Sequence, residues 1–308
     1  MRVVFMGSPG FALPSLRALA ESPRYDVAGV FTQPDRPAGR GGKLTPPPVK
    51  QLALELRLPV EQPEKVRSDE AFARLEELAP EVIVVVGYGQ IIPQRIIDLP
   101  RHGCVNVHSS LLPKYRGAAP VNWAIVRGET ETGVCTMRIV KKLDAGDVLL
   151  CRKTTIGPDE TAAELTDRLA PLGAELLLET LERAEAGTLM PQPQDEAAMT
   201  YAPLMQREDG RVDWSLPATE VYARVRGFDP WPGAFTSFRG KRLHIRRARM
   251  AEGSGQAGEI LAVGESLTIA CGGGGALAAV ELQPEGKARM AAAAFCNGYQ
   301  PRLGERLE

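Results

Sequence analysis

This chain of 308 residues has few histidines, few cysteines and almost no net charge, and each of these features restricts the functions that it can have. The 37 basic and 38 acidic residues nearly cancel, so any contact with nucleic acid must use local basic clusters. The five cysteines include no C-x-x-C pair and are odd in number, which argues against a zinc site or a disulfide framework and favours a reducing compartment. If the chemistry needs an imidazole, it comes from His102, His108 or His244.

Long apolar runs are missing as well. No stretch approaches the length of a membrane span, and the strand at residues 2–6 is too short for the apolar core of a signal peptide. With 44% hydrophobic and 24% charged residues, the composition is that of a globular protein large enough for two domains. We therefore expect a cytoplasmic protein without a membrane segment.

The first thirty residues predict a β-α-β unit. Residues 3–6 and 27–31 are apolar strands, and leucines recur at helical spacing between them. This is the opening of a doubly wound, mostly parallel sheet. The dinucleotide fingerprint G-x-G-x-x-G is incomplete, because only Gly7 and Gly10 occur in the first turn. The pattern therefore gives no support for NAD binding.

The α/β pattern continues through a first domain that we place at residues 1–189. Further helices are predicted at 49–56, 69–78, 123–127 and between 161 and 184, and further strands at 82–86, 134–140 and 147–151. A proline-rich segment predicts a linker at 190–207. A helix at 218–226 and five short strands follow, at 234–238, 243–248, 258–263, 267–270 and 276–282. This spacing is typical of a small OB-like β-barrel, here residues 208–308.

Two polar side chains end the strand that begins at Cys104. Asn106 and His108 are two residues apart, so on a strand they point to the same face. An amide can donate to an oxyanion, and an imidazole can move a proton near neutral pH. A lone histidine at a strand end is more often structural than catalytic, and the amide beside His108 is what favours catalysis.

Several motifs in this region resemble those of formyltransferases that use 10-formyltetrahydrofolate. The first is Asn106-x-His108, followed by Ser110-Leu111-Leu112-Pro113 and Gly117-x-x-Pro120, and the second is Leu143-Asp144-x-Gly146-Asp147. The resemblance covers the whole chain. Without it, the connector around Asp144 would be interpreted only as a turn.

The resemblance implies an activity and a set of site residues. A formyl group would pass from 10-formyltetrahydrofolate to the α-amino group of methionine esterified to initiator tRNA, without metal or NAD. Asn106 would stabilise the oxyanion. His108 would take the amine proton, directly or through water, or would stabilise the oxyanion as an imidazolium. Asp144 would orient His108 or an ordered water. The residues implied to contact the folate are Gln90, Ile92, Ser110, Leu111, Leu112, Pro113 and Leu143.

Two basic clusters are candidates for binding tRNA phosphates. A long loop carries Arg36, Arg40 and Lys43, and in the resembling tRNA enzymes such a loop reaches the acceptor stem. A second cluster of basic residues lies in the C-terminal strands and contains no acidic residue. Arg246 and Arg247 are its predicted contacts with phosphate. The alternatives are a solvated flexible loop and an edge strand protected by charge.

Other functions share parts of these signatures. A sugar-nucleotide N-formyltransferase could use the same catalytic residues but has no reason for the Arg40 loop. A formyltetrahydrofolate hydrolase would share the folate site. A non-catalytic tRNA-binding module would not need Asn106, His108 and Asp144. We expect a monomer.

Overall fold

The computed structural model describes residues 1–38 and 42–308, and its contacts divide the chain into two compact units. Unit 1 consists of Met1–Gly117, Thr132–Thr154 and Thr166–Tyr201. Unit 2 consists of Ala118–Glu131, Thr155–Leu165 and Ala202–Glu308. Within residues 1–38 and 42–308, no helix combines the length and apolarity that crossing a membrane requires.

Strands and helices alternate along the first two thirds of the chain. The strands are β1 (Arg2–Gly7), β2 (Asp26–Phe31), β3 (Arg36–Ala38), β4 (Lys43–Thr45), β5 (Val60–Glu61), β6 (Val82–Val86), β7 (Cys104–His108), β8 (Arg116–Gly117), β9 (Glu131–Arg138) and β10 (Val148–Thr155). The helices are α1 (Leu13–Glu21), α2 (Pro48–Glu55), α3 (Asp69–Leu78), α4 (Gln94–Ile97), α5 (Pro120–Val126) and α6 (Ala162–Glu185).

Seven of these strands form one sheet in the order β10-β9-β7-β6-β1-β2-β5. The pairs around β1 and β6 are parallel, whereas β7 and β9 are antiparallel. Strand β6 is buried along its whole length, as expected of a central parallel strand. The predicted doubly wound, mostly parallel sheet is confirmed.

Local sequence signals explain where several elements begin. Helix α3 starts after Ser68, whose hydroxyl accepts a hydrogen bond from Ala71 N at 3.2 Å. Before α6, Thr161 and Glu164 cap each other, because Glu164 Oε2 accepts from Thr161 N at 2.8 Å and Thr161 Oγ1 accepts from Glu164 N at 3.3 Å. The predicted helix at 69–78 and strand at 82–86 have the bounds of α3 and β6.

A disulfide bond joins Cys135 of β9 to Cys151 of β10, so the argument from sequence against disulfides is wrong for this pair. The two cysteines are 16 residues apart in sequence, a separation that no motif marks. Pairing of the neighbouring strands places the Cα atoms of the two cysteines 4.1 Å apart. Cys104, Cys271 and Cys296 are free and buried.

Unit 2 contains an antiparallel sheet that curls into a half-barrel, which confirms the predicted β-rich second fold. The elements that follow α6 in the chain are β11 (Tyr201–Ala202), which pairs with β8, and then α7 (Ala218–Gly227), β12 (Phe235–Phe238), β13 (Lys241–Ala251), β14 (Ile260–Val263), β15 (Leu267–Ala270), β16 (Ala276–Pro284), β17 (Met290–Ala291) and α8 (Ala292–Tyr299). The strand order is β12-β13-β16-β15-β14, with β17 beside β16. Val221, Ile245 and Phe295 belong to one buried apolar cluster at its centre.

Candidate active site

Strand β7 places Asn106 and His108 at the carboxyl end of the sheet. In the sheet, Asn106 pairs with Val85 of β6 and with Met137 of β9, and His108 pairs with Cys135. The His108 side chain is only 6% exposed, whereas Asn106 is half-buried. In the part of the chain that the structure describes, the Asn106 carboxamide has no hydrogen-bond partner, which leaves its N–H groups available to a substrate.

The imidazole of His108 is held by one backbone carbonyl. Its Nε2 lies 2.9 Å from Tyr115 O, and because a carbonyl oxygen can only accept, Nε2 carries a proton. In the neutral ring Nδ1 is therefore the proton acceptor. Nδ1 lies 3.9 Å from Asp144 Oδ2, too far for a direct hydrogen bond and close enough for an ion pair with a protonated ring.

Asp144 occupies the second loop of the site. Its Oδ2 accepts a hydrogen bond from Gly117 N at 2.8 Å, and its side chain is 15% exposed. The backbone is left-handed at both Asp144 (φ 46°) and Tyr115 (φ 61°), a conformation that non-glycine residues adopt rarely and often at functional sites. The structure thus brings His108 and Asp144, predicted from separate motifs, to one place.

Two of the residues predicted to contact folate have side chains that are already hydrogen-bonded within the protein. Ser110 is fully buried and its hydroxyl donates to Lys114 O at 2.7 Å. Gln90 accepts from Val66 N at 2.7 Å and donates to Pro63 O at 3.1 Å. The other predicted contacts are half-buried Ile92, Leu111, Leu112 and Pro113, and Leu143, which is 57% exposed.

Burial lowers the pKa of both other histidines, which makes each a weaker base than an exposed imidazole. Burial, followed by the charges of Arg246 and Arg242, lowers the pKa of His244 to about 4. Burial, followed by the charge of Arg101, also lowers the pKa of His102. His108 is therefore the imidazole best suited to general base chemistry.

The predicted basic loop is only partly described. Arg36 on β3 forms an exposed ion pair with Glu64 at 2.9 Å, and Lys43 is exposed at the start of β4. Arg40 lies outside the described residues. The antiparallel pairing of β3 with β4 was not predicted, since these strands are short and polar.

In unit 2, Arg246 and Arg247 line a cavity of about 160 Å³. A bulge in β13 at these residues interrupts its pairing with β16. Arg247 forms an ion pair with Glu164 at 2.5 Å, which is the largest cause lowering the pKa of Glu164 to about 2. Arg246 donates to Gln283 Oε1 at 2.7 and 2.9 Å.

Sequence reasoning missed Arg226, which lines the same cavity from α7. Its Nη1 donates to the backbone oxygens of Gly157 at 3.3 Å and Glu160 at 3.0 Å, while its buried Nε has no hydrogen-bond partner among the described residues. Burial lowers its pKa. The only sequence signal was an arginine in the last turn of a predicted helix.

Two family models match most of this chain. The family model described as Formyl transferase matches residues 1–181, and that of the formyl transferase C-terminal domain matches residues 204–300. The chain belongs to the formyl transferase family, as its motifs predicted. Across the described residues, no cluster of three or more His, Cys, Asp or Glu side chains could hold a metal ion.

Individual relatives match over the full length of the chain. It is 52% identical over 308 residues to a methionyl-tRNA formyltransferase of Koribacter versatilis, and 50% identical over 307 residues to one of Geobacter metallireducens. Each alignment covers 100% of this chain and 98% of the relative. An N-formyltransferase of Helicobacter canadensis, solved with folinic acid and dTDP-3-aminofucose, has a TM-score of 0.66 at 16% identity, covering 92% of this chain and 98% of that one. This last likeness shows the fold alone.

Proposed function

We propose that this protein transfers a formyl group from 10-formyltetrahydrofolate to the α-amino group of methionyl-tRNA, giving the formylated initiator for translation. Full-length identity of about half to relatives of that name supports the substrate pair. The observation that carries the chemistry is His108 Nδ1, the ring's free proton acceptor, 3.9 Å from Asp144 Oδ2. The test is formyl transfer to methionyl-tRNA by the purified protein, with free methionine and an amino-sugar nucleotide as controls.

Each of the three residues has a separate task in this reaction. The uncharged amine attacks the formyl carbon, and Asn106 donates to the oxyanion that forms. His108 Nδ1 takes the proton from the attacking nitrogen, directly or through a water. The carbon–nitrogen bond to N10 then breaks, and the same proton passes to N10 of the leaving tetrahydrofolate. Asp144 stabilises the imidazolium, while Tyr115 O keeps the ring oriented through Nε2.

Asp144→Asn should lower kcat by about 10-fold or more, because the imidazolium loses its counter-charge at the step in which His108 holds the proton. Asparagine retains an oxygen that can accept from Gly117 N, so the loop should stay folded. Steady-state kinetics with both substrates measure the effect. A variant with wild-type kcat would show that Asp144 is only a turn residue.

The folate is expected at the carboxyl ends of β6 and β7, where open α/β sheets bind ligands. The apolar contacts proposed are Ile92, Leu111, Leu112, Pro113 and Leu143. For Ser110 and Gln90 we propose an indirect role, because their side chains hold the loops that carry these contacts. No metal and no NAD enters the proposed chemistry.

For the tRNA, we propose that phosphates bind Arg246 and Arg247 in unit 2, with Arg226 as an additional contact. The support is a small cavity lined by arginines, and the buried Nε of Arg226 has no hydrogen-bond partner in the part of the chain that the structure describes. Arg36, Arg40 and Lys43 are proposed to approach the acceptor end. Since the net charge is only -1, these local clusters must supply the attraction.

Glu164→Gln should lower KM for tRNA and steepen its salt dependence, since it frees Arg247 from a carboxylate in the same unit. Arg247→Ala should raise KM and reduce the salt slope by about one unit, the value of one lost phosphate contact. Glutamine can still cap Thr161, so α6 should remain intact. Kinetics at several salt concentrations measure both changes.

The control for this pair is Arg302→Ala, at an exposed cation that does not line the cavity. It should behave like the wild type. If Arg247→Ala retains both the wild-type KM and the wild-type slope, the arginines of β13 are only a charged edge in solvent.

Amino-sugar N-formyl transfer is the second candidate. Its structural support is a likeness at 16% identity, which shows a shared fold and no shared substrate. The matches at 50% and 52% identity over the full chain favour the tRNA substrate. Turnover of an amino-sugar nucleotide at a rate above that of methionyl-tRNA would reverse this choice.

We also infer a cytoplasmic location, since the proposed substrate is a translation intermediate, and a monomer. The domain bounds 1–189 and 208–308, with a linker at 190–207, are proposals as well. The family models at 1–181 and 204–300 support them.

A further inference from the structure

We propose that Gln194 is a positioning residue for formyl transfer, an inference that rests on the catalytic roles proposed above for His108 and Asp144. Its carboxamide contacts two loops at once. Nε2 donates to Asp144 O at 2.8 Å and to Gly146 O at 2.7 Å, and Oε1 accepts from Arg116 Nε at 2.9 Å. One side chain thus joins the loop that carries Asp144 to the loop that orients His108.

Glu196 joins the same two loops through charge. Its carboxylate accepts from Arg116 Nη2 at 2.9 Å and from Lys142 Nζ at 2.5 Å. The hydrogen bond from Arg116 and, to a smaller extent, the one from Lys142 lower the pKa of Glu196 to about 2. The carboxylate is therefore ionised at neutral pH. The Arg116 side chain is only 3% exposed, and a buried guanidinium needs such partners to stay in place.

Thr200 continues the contact along the first loop. Its hydroxyl accepts from Tyr115 N at 2.8 Å, and its carbonyl accepts from Arg116 N at 2.9 Å. The Tyr115 carbonyl in turn accepts from His108 Nε2. Residues 194–200 therefore form a clamp that fixes the backbone on which the orientation of the imidazole depends.

The clamp fixes the distance between two loops, and catalysis depends on that distance because His108 and Asp144 lie on opposite sides of it. The only hydrogen bond that the Asp144 carboxylate makes within the described residues is to Gly117 N of the other loop. Without Gln194 the two loops can separate by a fraction of an ångström, which changes the distance from His108 Nδ1 to Asp144 Oδ2. Small misplacements of this kind can lower rates by up to about 10²-fold. We therefore expect the loss to fall mainly on kcat, with a smaller rise in KM for the folate because Leu143 lies on the same loop.

The experiment compares Gln194→Ala, Gln194→Glu and the control Gln192→Ala by steady-state kinetics. Glutamate keeps an acceptor for Arg116 but cannot donate to Asp144 O and Gly146 O, so it should lose kcat about as much as alanine, roughly 10- to 10²-fold. Gln192 is exposed and pairs with Val148 through its backbone, so its truncation should leave kcat at the wild-type value. Wild-type kcat in Gln194→Glu would overturn the proposal.

Hydrogen exchange gives a readout that does not depend on the assignment of the catalytic residues. Exchange at residues 114–117 and 142–146 should become faster in Gln194→Ala than in Gln192→Ala, and unchanged exchange would contradict the clamp. His108→Ala is assayed alongside: an active His108→Ala refutes the proposed catalytic site, whereas an inactive one with a fully active Gln194→Ala refutes only the positioning role.

Discussion

Replacing His108 with alanine should lower kcat by ~10²–10⁴-fold, the usual contribution of a general acid–base group. The ring is buried and its Nε2 donates to Tyr115 O, so alanine removes the acceptor Nδ1 from a fixed position beside Asp144. Because the histidine transfers a proton and is not among the proposed substrate contacts, KM for folate and tRNA should change little. Single-turnover measurements of formyl transfer isolate this step.

The matched control is His102→Ala, which removes an imidazole from a turn before β7, where burial lowers its pKa. It should leave kcat near the wild-type value. Folding of both variants is checked by their thermal unfolding midpoints. If His108→Ala turns over at the wild-type rate, the proton must leave by another route and the proposed mechanism is wrong.

The central α/β elements were predictable because their signals are local. An uninterrupted apolar run marks β6, and a serine cap with acidic residues behind it marks the start of α3. Helix α8 was missed because its first residues are alanines without an apolar period, and its burial depends on Phe295 packing against Phe238, a contact between distant residues. The Cys135–Cys151 bond was missed for the same reason: strand pairing, and no motif, brings the cysteines together.

The active site was predictable only where its residues are close in sequence. Asn106 and His108 share a strand face, so their alternation alone places them together. Asp144 was assigned from family resemblance, because the sequence of a turn does not show which strand its side chains will lie against. Arg116 and Gln194 are separated by 78 residues, and only the folded chain shows that they touch.

Asn106→Ala should lower kcat by ~10²–10³-fold, the effect of removing one donor from an oxyanion site. The carboxamide is half-buried on the same strand face as His108 and has no hydrogen-bond partner within the described residues, so its loss costs the folded state little. Asn106→Asp should be at least as slow, because a carboxylate cannot donate and repels the developing negative charge. Folate affinity, measured by titration of each variant, should stay close to wild type. The two outcomes separate the possible roles: equal losses in kcat and in folate affinity would make Asn106 a binding residue, whereas a loss confined to kcat is what stabilisation of the oxyanion requires.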